Sequence, residues 1–89
     1  MYKINYRDFG WNILAGEFVI YSLDQNTYYR FNDVGKEIWE IMCAHPQGIA
    51  VEAIVRLLSE QYNCSLEQLH HDILAFLNQL TEIGAVINT

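Results

Sequence analysis

Basic residues are scarce in this 89-residue chain: five Lys and Arg stand against eleven Asp and Glu, a formal net charge of −6. Nucleic-acid binders carry surplus cations that displace phosphate counterions, so a nucleic-acid partner is not expected. Cysteine is nearly absent as well. Cys43 and Cys64 are too few for a disulfide framework, and the first residues lack the basic, apolar, small-residue order of a secretory signal. The expected setting is the reducing cytoplasm. No apolar run reaches the roughly 18 residues of a membrane span, and neither end carries a lipidation motif. Catalytic signatures are missing too, with no phosphate-binding glycine loop, nucleophile elbow, C-x-x-C or H-E-x-x-H. The thiols and imidazoles, Cys43, His45, Cys64, His70 and His71, share no metal-ligand spacing. Cys43 with His45, or Cys64 with His70, read as packing or surface residues rather than as a zinc site or a nucleophile pair. No catalytic residue, metal or cofactor is expected.

What is present is apolar and aromatic. Hydrophobic residues make up 52% of the chain, with two Trp, six Tyr and four Phe, ample for one core and too rich for a disordered segment. A chain of this length buries about 60–65% of the surface its unfolded form exposes, so residues 1–89 are expected to form a single domain.

The chain changes period near its middle. From Trp11 to Phe31 it reads as strands: "WNIL", "EFVIYSL" and "TYYRF", rich in aromatic and β-branched residues. Gly16 separates the first from the second, and "DQN", Asp24 to Asn26, is turn chemistry before the third. A three-stranded antiparallel meander follows, over about residues 11–31. Asn32 or Asp33 then caps a helix over about 33–44, in which Val34, Ile38, Trp39, Ile41 and Met42 recur at helical spacing. A second helix, about 50–62, presents Val51, Ile54, Val55, Leu57, Leu58 and Tyr62. The third, about 65–83, opens on a capping box, Ser65 with Gln68, and closes at Gly84. The tail "AVIN" reads as a short strand or a docked extension. The fold class is α+β and winged helix-turn-helix-like, a three-stranded antiparallel N-terminal sheet followed by three helices. That outline often serves DNA, but the third helix carries three acids and no Lys or Arg where base readout would need them.

Two stretches offer a binding surface. On the third helix Leu66, Leu69, Ile73, Phe76, Leu77, Leu80 and Ile83 form one core stripe; Asp72 borders it on one flank, His70 and Leu74 on the other. On "TYYRF", alternation turns Tyr29 and Phe31 inward and leaves Tyr28 and Arg30 outward. If this strand lies at a sheet edge, its unpaired backbone groups are a template for an incoming extended segment, held against the helix flank.

These residues resemble the PqqD-like family, the recognition domains of precursor peptides that are ribosomally made and then modified, of the kind found as discrete lasso-peptide B1 proteins. The resemblance runs from about residue 17 to 87. It is carried by Leu23-Asp24 before the aromatic strand, the Phe31-Asn32 step, and Gly35, Ile38 and Trp39. Further on it is carried by Glu52, Ile54 and Tyr62, then Asp72, Ile73, Phe76, Leu77, Leu80 and Gly84. It implies a non-catalytic domain that takes the precursor's leader as an added strand and presents it to a partner enzyme, such as a protease, cyclase or radical enzyme. The implied site is Tyr28, Tyr29, Arg30 and Phe31 on the strand, with Leu69, Asp72, Ile73 and Phe76 on the helix. The readings held beside it are a folded-partner or dimerisation module, since an open edge can pair two copies, and a winged-helix regulator of transcription.

Overall fold

Eight elements make up the computed structural model, which describes residues 1–89. In chain order they are β1 (Tyr2–Ile4), β2 (Phe9–Leu14), β3 (Glu17–Ser22), β4 (Tyr28–Phe31), α1 (Asp33–Cys43), α2 (Val51–Ser59), α3 (Leu66–Ile83) and β5 (Val86–Asn88). The fold is α+β, with three helices and antiparallel sheet. A single N-terminal sheet does not describe it. Strands β2, β3 and β4 form a meander in that order, and β1 pairs antiparallel with β5 in a separate two-stranded sheet. That second sheet ties the chain ends together: Met1 donates through its amino group to the Thr89 carbonyl at 2.9 Å. The "AVIN" tail is thus a strand, and its partner is the opening "YKI", which no local pattern marked.

The meander's register follows from its turns. Ala15 and Gly16 both have positive φ, 53° and 81°, the two-residue turn whose twist suits a hairpin. Leu14 therefore faces Glu17, and Trp11 faces Ile20. The inward face carries Phe9, Phe18 and Ile20, all buried. Trp39 of α1 packs against it, with Trp11 edge-on at 5.6 Å and Phe18 at 6.3 Å. This indole is fully buried and its N–H has no hydrogen-bond acceptor, so rings rather than polar partners hold it.

Two of the three helix starts carry a side-chain cap, and α2, which follows Ala50, has none. Asn32 accepts from the Gly35 N–H at 3.0 Å, capping α1. Ser65 accepts from the Gln68 N–H at 3.1 Å, capping α3. The reciprocal half of the expected capping box is not made, because the Gln68 amide donates along the helix to Asp72 at 2.9 Å. In α2 the buried face is Val51, Ile54, Val55 and Leu58. Leu57 falls off that face and is 43% exposed. The helix ends at Ser59 rather than near residue 62, and the chain leaves it through a turn in which Tyr62 N–H still reaches Leu58 O at 3.2 Å. On α3, Leu69, Ile73, Leu77 and Leu80 are buried, whereas Leu66, first after the cap, is exposed. No helix is long and apolar enough to cross a membrane.

Trp39 touches both the sheet and the helical layer, so its loss opens the centre of the core. Trp39→Ala should destabilise the fold by about 3–5 kcal/mol. In denaturant titration this appears as a lower midpoint at nearly unchanged slope.

Candidate functional site

In an antiparallel ladder each residue directs its backbone N–H and C=O to one neighbour only, and successive residues alternate sides. The closing pair Leu14–Glu17 assigns Glu17, Val19 and Tyr21 of β3 to bonds with β2. Phe18, Ile20 and Ser22 are left for β4, where they meet Phe31, Tyr29 and Thr27; the Ser22 N–H donates to Thr27 O at 2.9 Å. Tyr28 and Arg30 therefore point their backbone groups away from the sheet, at an edge that no other strand covers.

The opposite edge, β2, is guarded. Its outward N–H groups belong to Phe9, Trp11 and Ile13. Phe9 donates to Asn5 O at 3.2 Å, and Ile13 donates to the side chain of Asn12 at 2.8 Å. Only the Trp11 N–H is open there. Of the sheet's two edges, β4 is the one with a continuous set of free donors and acceptors, which is the requirement for strand addition.

Beside that edge runs the Asp72 flank of α3. The inward-facing Phe31 meets Phe76 edge to face at 5.2 Å, so β4 and α3 touch through two rings. Just beyond lies a mostly apolar cavity of about 330 Å³. Its walls are Asn32, Val34, Gly35 and Ile38 at the start of α1, Tyr62 and Cys64 before α3, and Leu69, Asp72, Ile73 and Phe76 on α3. All four helix residues singled out from the sequence line this one cavity. The other flank points elsewhere: His70 faces Glu52 of α2 at 3.6 Å, and Leu74 packs against the core. On β4, Tyr29 and Phe31 are half-buried inward, while Tyr28 and Arg30 are exposed. The outward pair lines a separate hollow on the outer sheet face with Leu14 and Val19. Arg30 is already paired with Glu17 at 3.3 Å, both side chains well exposed.

Sequence reasoning did not assign Asn32, Val34, Gly35, Ile38, Tyr62 or Cys64 to a site. Gly35 held a usable signal, a glycine inside the first turn of a helix. A Cβ there would stand 3.0 Å from the Phe31 Cβ and 3.1 Å from the Phe76 ring, so glycine is what lets the two rings close over α1. Tyr62 reaches the site because its hydroxyl donates to the Glu37 carboxylate. That bond, then burial and the negative charges of Glu37 and Asp33, raise the Tyr62 pKa above the ordinary tyrosine value. The thiol of Cys43 lies away from this cavity, and burial pushes its pKa up more than the Tyr6 hydroxyl pulls it down. It is thus poorly suited to act as a thiolate. No group of three or more His, Cys, Asp or Glu is placed to hold a metal ion.

Fold and site together define a small α+β domain with one open sheet edge set against an apolar helix groove. The profile of the family described as Coenzyme PQQ synthesis protein D (PqqD) matches residues 17–86, and the chain belongs to that family. Two solved structures share its fold. TbiB1, in complex with the TbiA(beta) leader peptide, aligns at a TM-score of 0.82 and 23% identity, over 98% of this chain and 96% of the other. A lasso peptide synthetase B1 complexed with the leader peptide aligns at 0.81 and 16% identity, over 98% of both chains. No curated protein matches the chain in sequence.

The Tyr62–Glu37 bond has a pH signature. A raised folded-state pKa means that the neutral phenol is favoured by folding, so this contribution is present below about pH 10 and is lost as pH rises through the folded value. Glu37→Gln should bring the Tyr62 titration back toward the ordinary value and flatten the alkaline loss of stability. Tyrosinate absorbance, read as a difference against Tyr62→Phe, checks the first. Denaturant titrations across alkaline pH check the second.

Proposed function

We propose that this protein is a precursor-peptide recognition protein, which holds the leader of a ribosomally made peptide and presents it to the enzyme that modifies or cleaves it. One observation carries the reading: the β4 edge is the open edge of the sheet, and an apolar cavity on α3 lies beside it, reached through the Phe31–Phe76 contact. Membership of the PqqD family supports it, as do two structural neighbours that are themselves complexes with leader peptides. In this reading the domain is winged-helix-like, acts in the cytoplasm, carries no chemistry of its own, and raises the effective concentration of the precursor at its partner enzyme.

The leader adds as a fourth strand. Tyr28 and Arg30 each offer an N–H and a C=O, and Asn32 adds an N–H. Four or five bonds at about 0.5–1.5 kcal/mol net each, with an apolar anchor of about 2 kcal/mol, must exceed the cost of ordering the peptide. A Kd between about 10 μM and 10 nM follows. Side chains of the added strand alternate, so every second leader residue lies inward, beside Tyr29, Phe31 and Phe76. The others flank Tyr28 and Arg30 on the outer face. Leu69, Asp72 and Ile73 form the helix side.

Backbone recognition predicts an unusual mutant pair. Proline at position 30 removes one outward N–H yet leaves the ladder to β3 intact, since that ladder runs through Thr27, Tyr29 and Phe31. Arg30→Ala, which keeps the N–H, should bind a labelled leader peptide, one that the wild type binds, within about threefold of the wild-type affinity. Arg30→Pro should bind at least about tenfold more weakly, because a buried leader carbonyl loses its donor. Fluorescence polarisation on variants of matched thermal stability gives the comparison; equal affinities for the two would remove the strand-addition mode.

A further inference from the structure

Asp72 is the one carboxylate in the wall of an otherwise mostly apolar cavity. Its hydrogen-bond partner is the amide of Gln68, one turn earlier on the same helix, and it takes part in none of the chain's ion pairs. Neither Arg30 of β4 nor Lys36 of α1 pairs with it: Arg30 meets Glu17, and Lys36 meets Glu40 at 3.8 Å. Glu37 and Asp33 add negative charge close to Tyr62, which lines the same cavity. Asp72 is exposed at the rim of this cavity, so an apolar occupant that covers it gives the carboxylate nothing in exchange for the water it displaces. An occupant that carries a cation past this rim gains a partner there that an apolar one does not.

Given that the groove is the leader site, we infer that the bound segment presents a lysine or arginine to Asp72. The aliphatic stem of such a side chain lies along Val34, Ile73 and Phe76 while its cation meets the carboxylate, the arrangement that long basic side chains adopt at apolar edges. A neutral donor such as tyrosine would supply a hydrogen bond but would not answer the uncompensated charge. The net charge of −6 also favours a basic segment over an acidic one during encounter.

The probe is an array of synthetic peptides tiling the leaders of candidate precursors from the same genome, with the TbiA(beta) leader as a reference tile, read first with the wild-type protein. In the tile that binds, each Lys or Arg is then replaced singly by Met, which keeps the length and loses the charge. One such replacement should weaken binding by about five- to thirtyfold, and Asp72→Asn should give a similar loss with no further effect of that replacement. Affinity should fall with added salt for the wild type and much less for Asp72→Asn. The charge-swapped pair, Asp72→Lys with Glu at the same peptide position, should recover most of the binding. A tile whose affinity is indifferent to every Lys or Arg replacement and to Asp72→Asn overturns this inference and leaves the leader-binding role standing. Absence of binding by every tile overturns both.

Discussion

One geometric constraint governs the rest of this molecule: a backbone residue in a ladder can bond to only one side. The hairpin turn at Ala15–Gly16 makes Leu14 and Glu17 the closing pair. That assignment fixes which residues of β3 face β4, and the β3–β4 register then fixes the parity of β4. Tyr28 and Arg30 are the residues left facing outward. Had the turn held one residue more, Tyr29 and Phe31 would offer their backbone to solvent instead, and their rings would leave the core. The side-chain and backbone requirements of β4 are met together, with Tyr29 and Phe31 packed against the core, Phe31 on Phe76, and two backbone units left free.

The two sheet edges are treated differently, and the difference lies in small polar groups. On β2, Asn12 folds its side chain onto the next N–H and the Asn5 carbonyl takes another, so that edge is largely closed by its own chain. On β4 no such cap exists. An unguarded edge is a hazard for a small protein, because it invites pairing with other copies. Its retention here beside an apolar groove is consistent with an edge kept open for use.

Much of this arrangement is legible in the amino-acid sequence. Alternation in "TYYRF" separates the inward Tyr29 and Phe31 from the outward Tyr28 and Arg30, and helical spacing places Leu69, Ile73, Leu77 and Leu80 on one face. The Asn32 and Ser65 caps are visible because capping chemistry is local. What stays hidden depends on residues far apart in the chain. The pairing of β1 with β5 joins three-residue segments from opposite ends, too short to carry a period. The cavity needs Gly35, Tyr62 and α3 at one point, and only the packing of the helices supplies that. Leu57 and Leu66 mislead because an apolar residue beside a core stripe looks like a member of it, and Gln68 because Asp72, one turn on, competes for its amide.

The central claim is that the outward backbone of β4 receives the leader. Amide protection tests it without altering the protein: hydrogen exchange at Tyr28 and Arg30 is followed by NMR, with and without leader peptide. Protection of these two amides on binding, with that of Asn32 beside them and with Trp11 on the far edge unchanged, is the predicted result. Saturable binding that leaves both amides exchanging at the free rate, or that protects Trp11 instead, would contradict the account.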